Sequence, residues 1–311
     1  MFRPRSLAAV TALVLAGAVA SAPVTSAAPR PAVRAATVHA ASSLPTIKIG
    51  SEDFPEETLL GYLYSDVLQH AGYKTSLHSV GGRPLAVKAL AAKALDLFPD
   101  YAGSLLVALK SNDTVQAGQL STDIPALKGA LAGIGATVLN PAPAIDANVF
   151  VVTKATAAKY HLSTLSQLTA VAPKLAFAAH PECSAYYFCL PGLEKVYDLH
   201  FKTVVSADDS GPETIADLNN GKAEVAELFS TDSAIASNGY VQLADNKHLE
   251  PADHIIPVIR ESFDTPGVAK ALNALSAKLT LPALLALDNE ASSNHDEAAD
   301  ASKWLKSVGL T

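Results

Sequence analysis

The feature that most constrains the fold is a regular alternation of short apolar strand patterns with helical patterns, which begins at Thr46. The first β-α series ends with a strand pattern near Leu139, and a second series starts at Asn148. Three helical stretches follow Thr265. Such alternation predicts mainly parallel sheets covered by helices on both faces. Because 311 residues exceed the roughly 250–300 at which single cores stop growing, we predict two α/β lobes and a helical tail.

The two series contain an internal echo. Residues 89–98 (ALAAKALDLF) and 217–226 (DLNNGKAEVA) each combine a helix end, a basic residue and an acidic-apolar strand. A polar cluster follows each strand, at residues 99–101 (PDY) and 229–232 (FSTD). Since ligands of open α/β sheets bind beyond the carboxyl ends of strands, we expect both clusters to face one cleft between the lobes.

The N-terminus has the pattern of a secretory signal. Arg3 and Arg5 precede an apolar run over residues 7–22, and small-residue cleavage sites follow. The run has about 16 residues, fewer than the roughly 20 that span a bilayer, so cleavage is favoured over a retained membrane anchor. We expect a signal peptide over 1–28 and a flexible leader over 29–45.

The two cysteines, Cys183 and Cys189, lie in one polar and aromatic loop of a chain that we expect to be exported. Exported proteins favour disulfides, so we predict a disulfide that shapes this loop. A free thiol and a metal site are the alternatives. Two cysteines at this spacing without a nearby histidine pair make a poor zinc site.

The net charge and the missing motifs argue against several classes of function. The net charge is −7, and no cluster of Lys and Arg suggests nucleic acid as a partner. Phosphate-binding glycine loops and nucleophile elbows are missing from the sequence. The nine histidines are scattered, and His180 beside the cysteine loop is the one that we consider for a functional role. We expect no catalysis, no cofactor and no metal, and a cationic or neutral small ligand.

Several segments together resemble a known family. Residues 49–57 (IGSEDFPEE) resemble the opening "IGSKxFTEQ" of substrate-binding proteins for glycine betaine, choline and related osmolytes. Residues 98–104 (FPDYAGS) are similar to the family's "YPEYTGT", and residues 141–143 (PAP) to the start of its "PAPxNNTYA". Its "GLPGL", "FSTD" and "APVVR" have counterparts at 190–193, 229–232 and 257–260. The matches occur in order and span nearly the whole predicted mature chain.

The resemblance implies an α/β, two-lobed periplasmic-binding-protein (type II) fold with an interlobe ligand cleft. It also implies a cage of tyrosines that holds a quaternary amine by cation–π attraction. Tyr101 stands at a family cage position, but Asn148 and Ile215 stand where the family has tyrosines. Tyr186, Tyr187 and Phe188 are possible replacements. The ligand is therefore either a quaternary amine such as glycine betaine or choline, or a related small polar or aromatic molecule.

The expected ligand-binding set joins residues of the family segments with polar residues at strand ends. Its members are Ser51, Asp53, Phe54, Glu57, Asp100, Tyr101, Ser104, Asn148, Glu182, Thr231 and Asp232. For Tyr101 the alternative is packing at a strand end, and for Thr231 and Asp232 it is bracing of a hinge.

The resemblance also implies an organisation and a role. We expect lobe I over 46–143 plus 236–311 and lobe II over 144–235, with hinge strands near 140–147 and 233–240. The implied role is a monomeric solute-binding component of an ABC importer, which captures a small molecule by lobe closure and delivers it to a membrane permease. A ligand-sensing receptor domain and, less favoured, an enzyme on the same scaffold remain the alternatives. Without a cysteine just after the signal, we expect a free periplasmic or extracellular protein, unless an uncleaved signal tethers it.

Overall fold

The protein is described from a computed structural model that covers residues 45–110 and 120–311. The predicted signal peptide and nearly all of the leader lie outside the described residues. The strands in the described part of the chain are β1 (Ile47–Ser51), β2 (Thr75–Ser79), β3 (Leu97–Tyr101), β4 (Ala136–Val138), β5 (Asn148–Val152), β6 (Ala176–Ala179), β7 (Thr203–Ser206), β8 (Val225–Phe229), β9 (Val241–Gln242) and β10 (Ile255–Arg260).

The α-helices in the same ranges are α1 (Pro55–His70), α2 (Arg83–Ala91), α3 (Ala102–Lys110), α4 (Leu120–Ala132), α5 (Lys154–Tyr160), α6 (Leu190–Tyr197), α7 (Pro212–Asn219), α8 (Ser233–Ser237), α9 (Pro266–Lys278), α10 (Leu281–Asn294) and α11 (Glu297–Ser307). Proline near the first position of α1, α2, α6, α7, α9 and α10 has a fixed φ that suits a helix start. No single helix in these ranges is long and apolar enough to cross a membrane, and α9 and α10 reach that length only as a pair bent by 89°.

The strands form two five-stranded sheets with matching orders, β2-β1-β3-β10-β4 and β7-β6-β8-β5-β9. In each sheet four strands point the same way, and the fourth in the order, β10 or β5, runs antiparallel to both of its neighbours. The expectation of mainly parallel sheets therefore needs one correction. The chain enters each of these strands directly from the other lobe, so the strand runs opposite to those that follow a helical crossover.

Each lobe has its own apolar core. In the first lobe, α1 is buried between its sheet and the helical tail, where Leu60 and Leu63 pack with Leu272 and Leu305. In the second lobe, Phe150 and Phe177 pack with the loop and helix that follow β6. Because the tail helices share the core of α1, they belong to the first lobe.

The lobes are joined by two adjacent segments. Residues 142–146 lie beside residues 253–255, linked by the bond from Ala142 N to Ile255 O (2.8 Å) and by the bond from Asp146 N to Asp253 O (3.0 Å). The second segment lies later than the expected hinge at 233–240 and the expected lobe boundary at 235. The reason is that β9 pairs with β5, which holds residues 241–242 in the second sheet.

Candidate functional site

A cleft of about 440 Å³ lies between the two sheets and receives side chains from both lobes. The first lobe contributes Glu52, Phe54, Arg83, Pro84, Tyr101, Ser104, Val107 and Ala108, the second contributes Asn148, His180, Glu182, Ala185, Tyr186, Tyr187, Asp209 and Phe229, and the connecting segments contribute Asp146 and Asp253. Tyr101 ends β3 and Phe229 ends β8, so the two echo strands deliver their last residues to one cavity. This is the geometry that the strand-end argument predicts.

An ion pair forms part of the first-lobe wall. Arg83 begins α2, and its Nε donates to Asp100 Oδ1 at 2.8 Å. The same oxygen accepts a bond from Tyr101 N at 2.7 Å, and the Asp100 side chain is fully buried. Asp100 thus lies beneath the wall and orients the guanidinium, whose remaining N–H groups have no protein partner among the described residues.

A hydrogen-bond chain crosses from one lobe to the other beside the cleft. Tyr101 donates its hydroxyl proton to Glu56 Oε1 at 2.6 Å, and Thr231 Oγ1 lies 2.9 Å from Glu56 Oε2 and 3.1 Å from Asp146 Oδ1. The Thr231 hydroxyl has one proton for these two acceptors, so a protonated carboxyl in the chain would allow both contacts to be hydrogen bonds. Burial raises the pKa values of Glu56 and Asp146 well above their usual range, which favours a proton on one of these acids.

The cysteine loop forms much of the second-lobe wall. The predicted disulfide Cys183–Cys189 is confirmed, with a Cα–Cα distance of 5.1 Å, and it closes the turn that carries Tyr186 and Tyr187. Gly192 lies in the first turn of the helix behind this loop. A Cβ at Gly192 would stand only 2.1 Å from Tyr187 O, so a side chain there would displace the tyrosine loop.

Aromatic rings from both lobes meet at the cleft. Phe54 stacks on Tyr101 with a centroid distance of 6.4 Å, and it contacts Phe229 at 5.3 Å in a tilted arrangement. The three rings named as possible replacements for the cage tyrosines lie in different places. Tyr186 and Tyr187 line the cleft, whereas Phe188 is buried in the core and Ile215 packs within the second lobe away from the cavity.

The charged groups of the cleft are mostly acids. Burial raises the pKa of Glu52 to about 7, Arg83 lowers it, and the nearby Asp100 and Asp209 raise it. Asp209 is an exposed residue, and its partial desolvation raises its pKa against the lowering effects of His180 and Arg83. The effect of Asp209 on the pKa of Glu52 couples an acid of the second lobe electrostatically to one of the first lobe.

Five of the expected ligand-binding residues line this cleft: Phe54, Tyr101, Ser104, Asn148 and Glu182. Ser104 uses its N–H and its hydroxyl to bind Asp253, at 2.8 and 2.6 Å. Asn148 Nδ2 makes a long bond of 3.5 Å to Phe188 O.

The other expected residues do not line the cavity, and most have a local structural partner. Glu57 is buried and accepts the N–H of Glu52 at 3.2 Å, Asp100 supports Arg83, and Asp53 is an exposed partner of Ser79. Asp232 caps α8 by accepting Ala234 N at 2.7 Å. Thr231 lies in the chain that crosses between the lobes, and Ser51 is a buried strand residue.

Sequence reasoning missed much of the wall, namely Glu52, Arg83, Asp146, Asp209 and Asp253. Arg83 and Asp209 both lie just before or at a helix start that follows a strand, which is the position from which loops reach a cleft. That signal was available in the sequence. The approach of Asp253 to Ser104, 149 residues apart, was not.

A possible metal group lies behind the wall. One side-chain atom each of His180, Cys189 and Glu227 comes within 4.8 Å of the others. The sulfur of Cys189 is bound in the disulfide, so it cannot act as a thiolate ligand. Two donors remain, which is too few for a zinc site.

Comparisons with known proteins agree with this architecture. Residues 45–307 match the model of a family described as the substrate binding domain of ABC-type glycine betaine transport systems. A solved structure titled as a glycine betaine/carnitine/choline ABC transporter aligns with a TM-score of 0.69 and 22% identity, over 85% of this chain and 99% of that one.

Two further solved structures share the fold. YehZ of Escherichia coli aligns with a TM-score of 0.63 and 24% identity, over 86% of this chain and 99% of that one. Lactococcal OpuAC in its closed form with glycine betaine aligns with a TM-score of 0.61 and 14% identity, over 85% of this chain and 96% of that one. The two-lobed type II periplasmic-binding fold predicted from the sequence is thereby confirmed.

Proposed function

The chain belongs to the family of substrate-binding domains of ABC-type glycine betaine transport systems, and from this premise we propose that it is the extracytoplasmic solute-binding protein of an ABC importer. It captures one small organic molecule in the interlobe cleft and passes it to a membrane permease, without catalysing a reaction. The observation that carries the proposal is the cavity of about 440 Å³ walled by residues of both lobes. A cavity of that size matches a small ligand.

Lobe closure is the proposed means of capture. The lobes are joined at two adjacent segments, and the cleft residues lie on loops at the strand ends on either side of them. A rotation about these segments changes the separation of the two walls while each core stays packed. Phe54 from one wall and Tyr187 from the other then bury the ligand between them.

The ligand class follows from the wall. Aromatic faces of Phe54, Tyr101, Tyr186, Tyr187 and Phe229 suit an organic cation by cation–π attraction, and the acids add charge complementarity. Quaternary amines such as glycine betaine and choline are the first class to test, followed by related small polar or aromatic molecules. The protein works as a monomer, free in the periplasm or outside the cell, or tethered by an uncleaved signal.

Thermal shift and calorimetry test the proposal on purified protein. The panel contains betaines, choline, carnitine, polyols and phenolics. We expect at least one to bind with a stoichiometry of one and to raise the melting temperature, because a ligand that binds only the folded state stabilises it. A flat response to the whole panel would remove the support for a solute-binding role. Turnover of a bound compound would favour an enzyme instead.

A further inference from the structure

The cleft carries more acidic acceptors than its cations neutralise. Glu52 lies on the first-lobe wall, and Glu182 and Asp209 lie on the second. Arg83 shares its Nε–H with the buried Asp100, which already offsets its charge. The imidazole of His180 lies 3.5 Å from another buried acid, Glu227.

Some of these polar atoms lack partners. Glu52 Oε1 and the hydroxyl of Tyr186 are both buried, and neither has a hydrogen-bond partner within the described residues. Both residues line the cavity, one from each lobe. A buried acceptor without a donor costs free energy, so a ligand that donates a hydrogen bond there is favoured over one that does not.

The two lobes also present like charges to each other. Burial and, among the neighbouring acids, Asp100 and Asp209 raise the pKa of Glu52, while partial desolvation, Glu182 and Asp208 raise the pKa of Asp209. A cation held between them converts this repulsion into attraction. A trimethylammonium supplies the charge but has no N–H to offer to the carboxylates.

We propose that the cleft selects an organic cation with N–H donors, a primary or secondary ammonium or a guanidinium, clamped between Glu52 of the first lobe and Asp209 of the second. The apolar stem of the ligand packs on Phe54 and Tyr187. The inference rests on the proposed solute-binding function and names the ligand class of the same cleft.

Pairs of ligands that differ only in N-methylation test the inference by calorimetric titration of the purified protein. The pairs are ethanolamine with choline, and glycine with glycine betaine. We expect the unmethylated member of a pair to bind roughly tenfold more tightly or better, the effect of one charge-assisted hydrogen bond. Equal or tighter binding of the methylated members overturns the inference and leaves the solute-binding function standing. No binding by any ligand of these pairs or of the wider panel overturns both.

Substitutions of Glu52 and Asp209 test whether these two side chains bind the ligand. Glu52→Met and Asp209→Leu replace the acceptor oxygens by apolar groups of similar size, and we expect each to reduce the preference within a pair to about threefold or less. Glu52→Gln, which keeps an acceptor without the charge, serves if the methionine variant folds poorly, and it should weaken both members of a pair. Glu213→Gln removes an exposed acid of α7 outside the cleft and should leave the preference unchanged. A preference that survives in both apolar variants overturns the inference.

Discussion

Asp288 provides a test of how buried acids affect folding. The residue is only 8% exposed, and both oxygens of its carboxyl group are buried beside Glu56 and Thr231. Burial raises its pKa from 3.8 to about 7. The folded protein therefore keeps a proton that the unfolded chain releases near pH 4.

The sign of the effect follows from proton linkage. Between pH 4 and pH 7 the unfolded state binds fewer protons than the folded state, so the free energy of unfolding falls as pH rises. At about 1.36 kcal/mol for each pH unit, the gap between 3.8 and about 7 corresponds to at most roughly 4 kcal/mol. Glu56 and Asp146 lie in the same buried region and also have raised pKa values. Part of this fall in the free energy of unfolding therefore comes from the three acids together and not from Asp288 alone.

Asp288→Asn replaces the protonated acid by a neutral amide of the same shape. Urea unfolding is followed from pH 4.5 to 7.5 by the fluorescence of Trp304, the single tryptophan. We expect the wild-type free energy of unfolding to fall across this range, and the fall in Asp288→Asn to be smaller by about 2–4 kcal/mol. Glu290→Gln, on the same helix but in a surface ion pair with Lys303, is the matched control and should follow the wild type. An equal fall in Asp288→Asn and wild type would refute the reasoning.

Three further substitutions test parts of the wall. Arg83→Met leaves the buried Asp100 without its cation, so the free energy of unfolding should drop by about 3–5 kcal/mol in urea titrations, and recovery in Arg83→Met/Asp100→Leu would confirm the cause. The double change of Cys183 and Cys189 to serine opens a short loop and should cost about 2 kcal/mol, together with weaker ligand binding; unchanged calorimetric affinity would contradict a role for the loop in the wall. Thr231→Val removes the hydroxyl between two buried acids and should cost about 1–3 kcal/mol; a neutral result in the same unfolding assay would show that the chain between the lobes contributes nothing.

Much of the architecture follows from local patterns. The echo between residues 89–98 and 217–226 gave the two central strands, because each pattern encodes the same helix–strand unit. The disulfide followed from two cysteines in one loop of a chain expected to be exported. The position of the lobe boundary did not follow from local patterns. It depends on the pairing of β9 with β5, and a strand of two residues is too short to give a recognisable sequence pattern.

The site was predictable only in part. Residues on family segments and at strand ends, such as Tyr101 and Ser104, were found because their position alone brings them to the cleft. Glu57 and Asp232 lie outside the cavity wall, because an acid near a helix start can accept a nearby backbone N–H as readily as it binds a ligand. Asp253 was missed because its approach to Ser104 depends on how the second connecting segment crosses between the lobes.

The most direct test of the interlobe cleft as the binding site uses one aromatic residue from each wall. The tightest ligand of the panel is titrated by calorimetry into the wild type, Phe54→Ala and Tyr187→Ala. The account predicts one site per chain and a loss of about tenfold or more in affinity for both variants, since each removes a ring face from the ligand. Unchanged affinity in either variant, with both folded, would contradict capture between the two lobes.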